Sequence, residues 1–165
     1  MQIDLALAPV QDAAVLANLF QYYVYDLSDV VDVDVAADGR FVLPSFDAYW
    51  SDPWRHPHLV RVDGTVAGFA LVHQRSRLTG DAKTWDIAEF FVMRKYRRQG
   101  VGKAVATRVF DSFRGKWEVR ERKANVAAIA FWRSVIAAYT KGAFTETVLD
   151  DERWRGPVQS FQNQA

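Results

Sequence analysis

Glu89-Phe90-Phe91-Val92-Met93-Arg94-Lys95-Tyr96-Arg97-Arg98-Gln99-Gly100-Val101-Gly102-Lys103 is the stretch that decides how this chain is read. It runs from an apolar strand through a basic turn to a Gly-x-Gly step into a helix. Small residues free the backbone amides at the helix start, and the flanking cations complete a site for a phosphorylated ligand. Glu89, on the incoming strand, lies close enough in sequence to serve chemistry on that ligand, which points to an enzyme. Two rival phosphate motifs fail. A Walker A loop would need glycine at 97 and a hydroxyl at 104, where the chain has Arg97 and Ala104. A dinucleotide fingerprint would need glycine at 105, which is Val105, and a βαβ unit near the first strand.

Upstream, the turn Asp63-Gly64 joins strands expected over 58–62 and 65–73, and Thr79-Gly80-Asp81 leads into a third over 83–93. Residues 2–7 form a first strand, and Val15, Leu16, Leu19, Phe20 and Tyr23 recur at helical spacing. Residues 26–40 are ambiguous. Val30 to Val35 alternates like a strand, whereas the surrounding aspartates and Gly39 suit a loop or short helix. A short helical piece follows over 46–50. Downstream, helices are expected over 102–113 and 125–137, with strands over 116–121, 139–148 and 157–161. The result is an α+β fold with a mixed sheet, one domain over 1–165.

Composition permits this reading without selecting it. Half of the 165 residues are hydrophobic, 21 Lys and Arg stand against 20 Asp and Glu, and there is no cysteine. Near-neutrality gives no global footprint for nucleic acid or an acidic membrane, and the missing cysteine removes thiolate metal sites and a cysteine nucleophile. His56-Pro57-His58 lacks a third ligand at metal spacing, so no metal is expected. The amino terminus has no basic n-region, and no apolar run approaches the roughly 20 residues that span a bilayer. A cytoplasmic protein is the expectation. The charge is uneven, however: seven aspartates and no lysine or arginine precede Arg40. That acidic third is either a solvated surface or a lobe facing a cationic substrate, opposite a basic lobe for an anionic cofactor.

Arg97-x-x-Gly100-x-Gly102, with Phe91-Val92-Met93-Arg94-Lys95-Tyr96 before it, resembles motif A of the GNAT superfamily of CoA-dependent N-acyltransferases. Asn125-x-x-Ala128-x-x-Phe131-Trp132 resembles its motif B. The resemblance implies a mostly antiparallel central sheet flanked by helices, with a splayed strand pair holding acetyl-CoA as co-substrate. It implies that amides of Gln99, Gly100, Val101, Gly102 and Lys103 bind the pyrophosphate, and that Arg97, Arg98 and Lys103 add charge. The backbone of Phe91 and Val92 would pair with the pantetheine arm, the Val92 amide would polarise the thioester carbonyl, and Asn125 and Phe131 would contribute from motif B. Relatives often form homodimers, but no residue here selects that state.

Direct attack by an amine needs a base and a donor for the leaving thiolate. Glu89 is the first candidate base, ahead of Asp86, Glu118 and Glu121. The motif B tyrosine falls on Trp132, whose indole is no useful acid; Tyr139 is the candidate that remains. Tyr22, Tyr23, Tyr25, Trp50 and Trp54 are core or lid, or frame the acceptor pocket with Asp26 and Asp29. The expected activity is acetylation of a primary amine on a small molecule, a cationic amine or amino-sugar. The alternative is a non-catalytic acyl-CoA-binding module.

Overall fold

The computed structural model describes residues 1–163. Its strands are β1 (Ile3–Leu7), β2 (Arg55–Val62), β3 (Thr65–His73), β4 (Thr84–Val92), β5 (Gly115–Arg120), β6 (Thr145–Asp150) and β7 (Arg155–Asn163), and its helices are α1 (Ala13–Leu27), α2 (Ala48–Ser51), α3 (Val101–Ser112) and α4 (Val126–Thr140). Among the described residues the strands make one sheet in the order β1-β2-β3-β4-β5-β7-β6. Every neighbouring pair is antiparallel except β4 and β5. Among the described residues no helix is long and apolar enough to cross a membrane.

Both faces of the sheet are covered, which is why β3 is buried almost end to end and not at alternate positions. Phe69 and Leu71 turn toward α1 and α2, while Ala70 and Val72 turn toward α3 and α4. The two cores therefore share one sheet, and the strands between them carry the site. Gly68 faces β4 so closely that a Cβ would press into the carbonyl oxygen of Phe91. Gly68→Ala should therefore cost about 3 kcal/mol by overpacking, read in urea as a lower midpoint with an unchanged m-value.

One sequence expectation needs correction, and the reading left open for residues 26–40 resolves as loop over 30–35. The strand expected over 139–148 begins only at Thr145, because α4 runs on to Thr140. Val135, Ile136 and Tyr139 prolong its apolar face, and the stop comes from Lys141 and Gly142, both left-handed with φ of 54° and 84°. Residues 30–35 form no strand. Val31 and Val33 instead border a cleft.

Candidate active site

The site follows from how β4 leaves β5. The two strands pair in parallel only from Thr84 to Asp86 against Lys116 to Glu118. Beyond that, the β3–β4 register steps from Val72↔Ile87 to Leu71↔Glu89, so Ala88 is an extra residue. Such a bulge bends and twists its strand, and here it accompanies the opening of a gap between β4 and β5. The Met93 N–H donates to the Ala67 carbonyl on β3. By strand alternation the amides of Phe90 and Val92 face away from β3, toward that gap, whereas the backbone of Phe91, expected to pair with the pantetheine arm, is turned to β3 instead.

At the far end of β4 the chain makes the basic turn. Arg98 has φ 59° and Gly100 φ 82°, and α3 starts directly after Gly100. Alternating left- and right-handed residues converge successive amides on one point, and the first-turn amides of a helix have no carbonyl within it to bond. The Val101 side chain is fully buried, so this residue offers its amide alone. A Cβ on Gly102 would lie 3.2 Å from the Phe131 ring and would push it back by a few tenths of an ångström, so glycine lets α4 approach the start of α3 closely. Phe131 in turn stacks on Phe90 at 5.9 Å between centroids. Arg98, Gln99 and Lys103 are exposed at the turn. Arg97, also exposed, is tied back to the fold: its Nε donates to the Val92 carbonyl at 2.6 Å, and its other end pairs with Asp26 of α1. Asn125 caps α4, its Oδ1 accepting from the Ala128 amide at 3.1 Å, and it also borders the cleft. Amide nest, open strand gap and cradle of small and aromatic residues together fit an acyl-CoA.

A cleft of about 340 Å³ opens where the strands part, bounded by α1, the segment after it, β4, β5 and the start of α4. Glu89 stands in its wall with its Oε2 accepting from the Tyr23 hydroxyl at 2.5 Å. Burial pushes the Glu89 carboxyl above the ordinary glutamate range, against the opposing pull of the Tyr23 bond and of Arg120 and Arg77. Burial, reinforced by Glu89, raises the Tyr23 phenol as well, so it remains a donor. Asp86 holds Arg120 through two bonds of 3.0 and 3.1 Å, with both side chains buried. The Ser76 hydroxyl donates to Glu118 at 2.6 Å. These two carboxylates are thus structural partners already. Glu121 differs. It is buried in the same cleft beside Gln159, and among the described residues neither carboxyl oxygen is held within hydrogen-bond distance. Burial drives its pKa up to about 8.

The structure does not bring Tyr139 to Glu89. Its hydroxyl donates to Asp111 of α3 at 2.9 Å and its ring packs on Phe110 and Phe161, because its place on α4 faces the α3 core. Trp132 is buried against Phe90 and Phe110. Of the aromatic group near the N-terminal helix, only Tyr23 reaches Glu89. Tyr22 and Tyr25 are 57% and 65% exposed, Trp50 is tied to the Ala8 carbonyl, and Trp54 lies beneath Arg55 and Arg75. Asp26 is taken by Arg94 and Arg97, and Asp29 is exposed. Among the described residues no group of three or more His, Asp or Glu could hold a metal ion. Sequence reasoning missed the pairing of Tyr23 with Glu89. The signal available was only that Tyr23 falls on the apolar, inward stripe of its helix, whereas Tyr22 and Tyr25 do not.

The acetyltransferase (GNAT) family model matches residues 22–135, well over half of the chain. No curated protein matches the sequence. The fold is similar to that of an acetyltransferase from Thermus thermophilus, with a TM-score of 0.69 and 15% identity over 99% of this chain and 98% of the other. It is also similar to yncA, a candidate acetyltransferase from Salmonella typhimurium with its cofactor acetyl-CoA: TM-score 0.65, 16% identity, 100% and 97% covered. A third similar fold is the PaiA N-acetyltransferase from Thermoplasma acidophilum in complex with coenzyme A: TM-score 0.62, 10% identity, 99% and 100% covered. The matched segment runs from the end of α1 through the bulged strand and the Gly-x-Gly turn into the capped helix α4, and it shows that this chain belongs to the GNAT family of acetyltransferases.

Proposed function

We propose that the chain moves the acetyl group of acetyl-CoA onto the primary amine of a small molecule by direct attack at the parted ends of β4 and β5. The observation that carries the reading is the Tyr23–Glu89 pair in the cleft wall, on the strand whose free amides face the gap. When bound, acetyl-CoA supplies a thioester whose acyl carbon is open to an amine. The amides from Gln99 to Lys103, with Arg98 and Lys103, hold the pyrophosphate. The Phe90 and Val92 amides face the gap, where the Val92 N–H can donate to a carbonyl oxygen. Glu89 accepts a proton from the incoming ammonium, directly or through a water, and Tyr23 orients the carboxylate. Arg97 positions the turn by bonding the Val92 carbonyl.

The proton donor is assigned to Glu121. Neutral at pH 7, it lines the same cleft as Trp132, which stands at the place of the motif B tyrosine. The amine is received at Glu89, since Asp26 of the acidic N-terminal third, read from sequence as facing a cationic amine or amino-sugar, is committed to arginines. Free-thiol release from acetyl-CoA across a panel of small amines and peptides tests the proposal. Amine-dependent release is expected. Saturable binding of acetyl-CoA with no release for any amine would instead favour a non-catalytic acyl-CoA-binding module.

A further inference from the structure

The acceptor end of the cleft carries more positive charge than a simple amine would need. Arg77, from the loop between β3 and β4, and Arg122, just beyond β5, both line it. Among the described residues neither is ion-paired to a carboxylate. Arg122 lies 5.6 Å from the Trp154 ring centroid and Arg120 lies 4.6 Å from the same ring. Trp154 is itself fixed by its indole N–H on the Glu121 carbonyl at 3.1 Å. Arg120 is already balanced by Asp86, and Glu121 is neutral at pH 7. The remaining balance is two guanidinium groups against Glu89. Such an end repels an acceptor that is only cationic and complements one that also bears an anion. Beside it the wall is apolar, formed by Val24, Leu27, Val31 and Leu43.

We infer that the acceptor is an amino acid with an apolar side chain. Its amine sits at Glu89 and Tyr23, its carboxylate between Arg77 and Arg122, and its side chain on the Val24–Leu43 wall. A carboxylate offers two coplanar oxygens to the paired N–H groups of guanidinium, a fit that a hydroxyl or a second amine lacks. The inference rests on the acetyl-transfer proposal and narrows it. A C–N bond forms as the C–S bond breaks; the ammonium loses two protons, one to Glu89 and one to water, and the thiolate leaves with one from Glu121, which is reprotonated from solvent.

The test uses the whole protein and the matched pair L-leucine and isoamylamine, which differ only in the carboxylate, with O-phosphoethanolamine as a phosphate-bearing amine. Thiol release gives kcat/KM for each, and calorimetry on the CoA-saturated protein gives binding. Leucine is expected to exceed isoamylamine by at least 10-fold, roughly the discrimination that one lost charge-assisted bond produces. Arg77→Gln and Arg122→Gln should raise the leucine KM more than they lower kcat and collapse that preference. Isoamylamine turned over as well as leucine would overturn the inference while leaving acetyl transfer intact, and so would phosphoethanolamine outperforming leucine. Leucine bound in preference to isoamylamine, with no thiol released, would sink acetyl transfer and uphold the carboxylate site. No binding of leucine in any assay would overturn the inference.

Discussion

Glu89→Gln is expected to lower kcat by about 10²- to 10⁴-fold, the range spanned by loss of a positioned general base. The substitution keeps the size of the side chain and its place opposite Tyr23, so the KM for acetyl-CoA should move little. The pH profile separates a chemical role from a structural one. Glu89 must be ionised to accept a proton, and burial places its pKa above the ordinary glutamate range. Activity should therefore rise with pH through that shifted value, and the glutamine variant should lose this acid limb. Tyr23→Phe supplies an independent check. The Tyr23 hydroxyl lowers the Glu89 pKa by bonding its charged form. Removing it should move the acid limb to higher pH without abolishing turnover. A limb that stays in place would show that the limb does not report Glu89.

Glu121→Gln should affect both rate and stability, with opposite signs. A donor to the leaving group must hold its proton, so wild-type activity should fall as pH climbs through about 8. The variant should be slower by about 10²-fold and lack this basic limb. Stability follows from the same shift. The folded carboxyl titrates near 8 and the unfolded one near 4.5, so between those values the folded chain holds the extra proton. Stability must then decline as pH rises across that window. At 1.36 kcal/mol per unit, the upper bound of the loss above pH 8 is about 5 kcal/mol. Glutamine removes the titration, so the variant should match the wild type near pH 4 and melt higher at pH 9, by about 2–4 °C for each kcal/mol regained. Thermal melts at the two pH values check this, and equal melting points at pH 9 would refute it.

What the sequence discloses and what it hides divide along physical lines. The phosphate turn is legible because its geometry is local: Gly100 and Gly102 permit a left-handed residue and a close approach that few others allow. The meander is legible because Asp63-Gly64 determines a hairpin from two residues. Asn125 stands out as part of a motif, and its capping bond reaches only three residues away. By contrast, the Tyr23–Glu89 bond joins positions 66 apart, and the Arg97–Asp26 pair joins positions 71 apart. No local pattern encodes such partners, so the sequence alone points Arg97 toward the cofactor and Asp26 toward the acceptor. Tyr139 misleads for a related reason. Its distance along the chain from Trp132 suggests a fold-back, whereas its helical phase with Val135 and Ile136 carries it into the α3 core. Glu121 is visible only as one carboxylate among several, because its isolation depends on β7 and α4 closing around it.

The central claim is that acetyl-CoA lies in the gap between β4 and β5 and presents its thioester to Val92 and Glu89. A crystal structure of the protein with a non-hydrolysable acetyl-CoA analogue tests it most directly. The prediction is a pyrophosphate on the amides between Gln99 and Lys103 and an acyl carbonyl oxygen about 2.7–3.1 Å from the Val92 nitrogen. Glu89 should face the acyl group from the α1 side. A cofactor seated elsewhere, or a Val92 amide turned away from the acyl oxygen, would contradict the account.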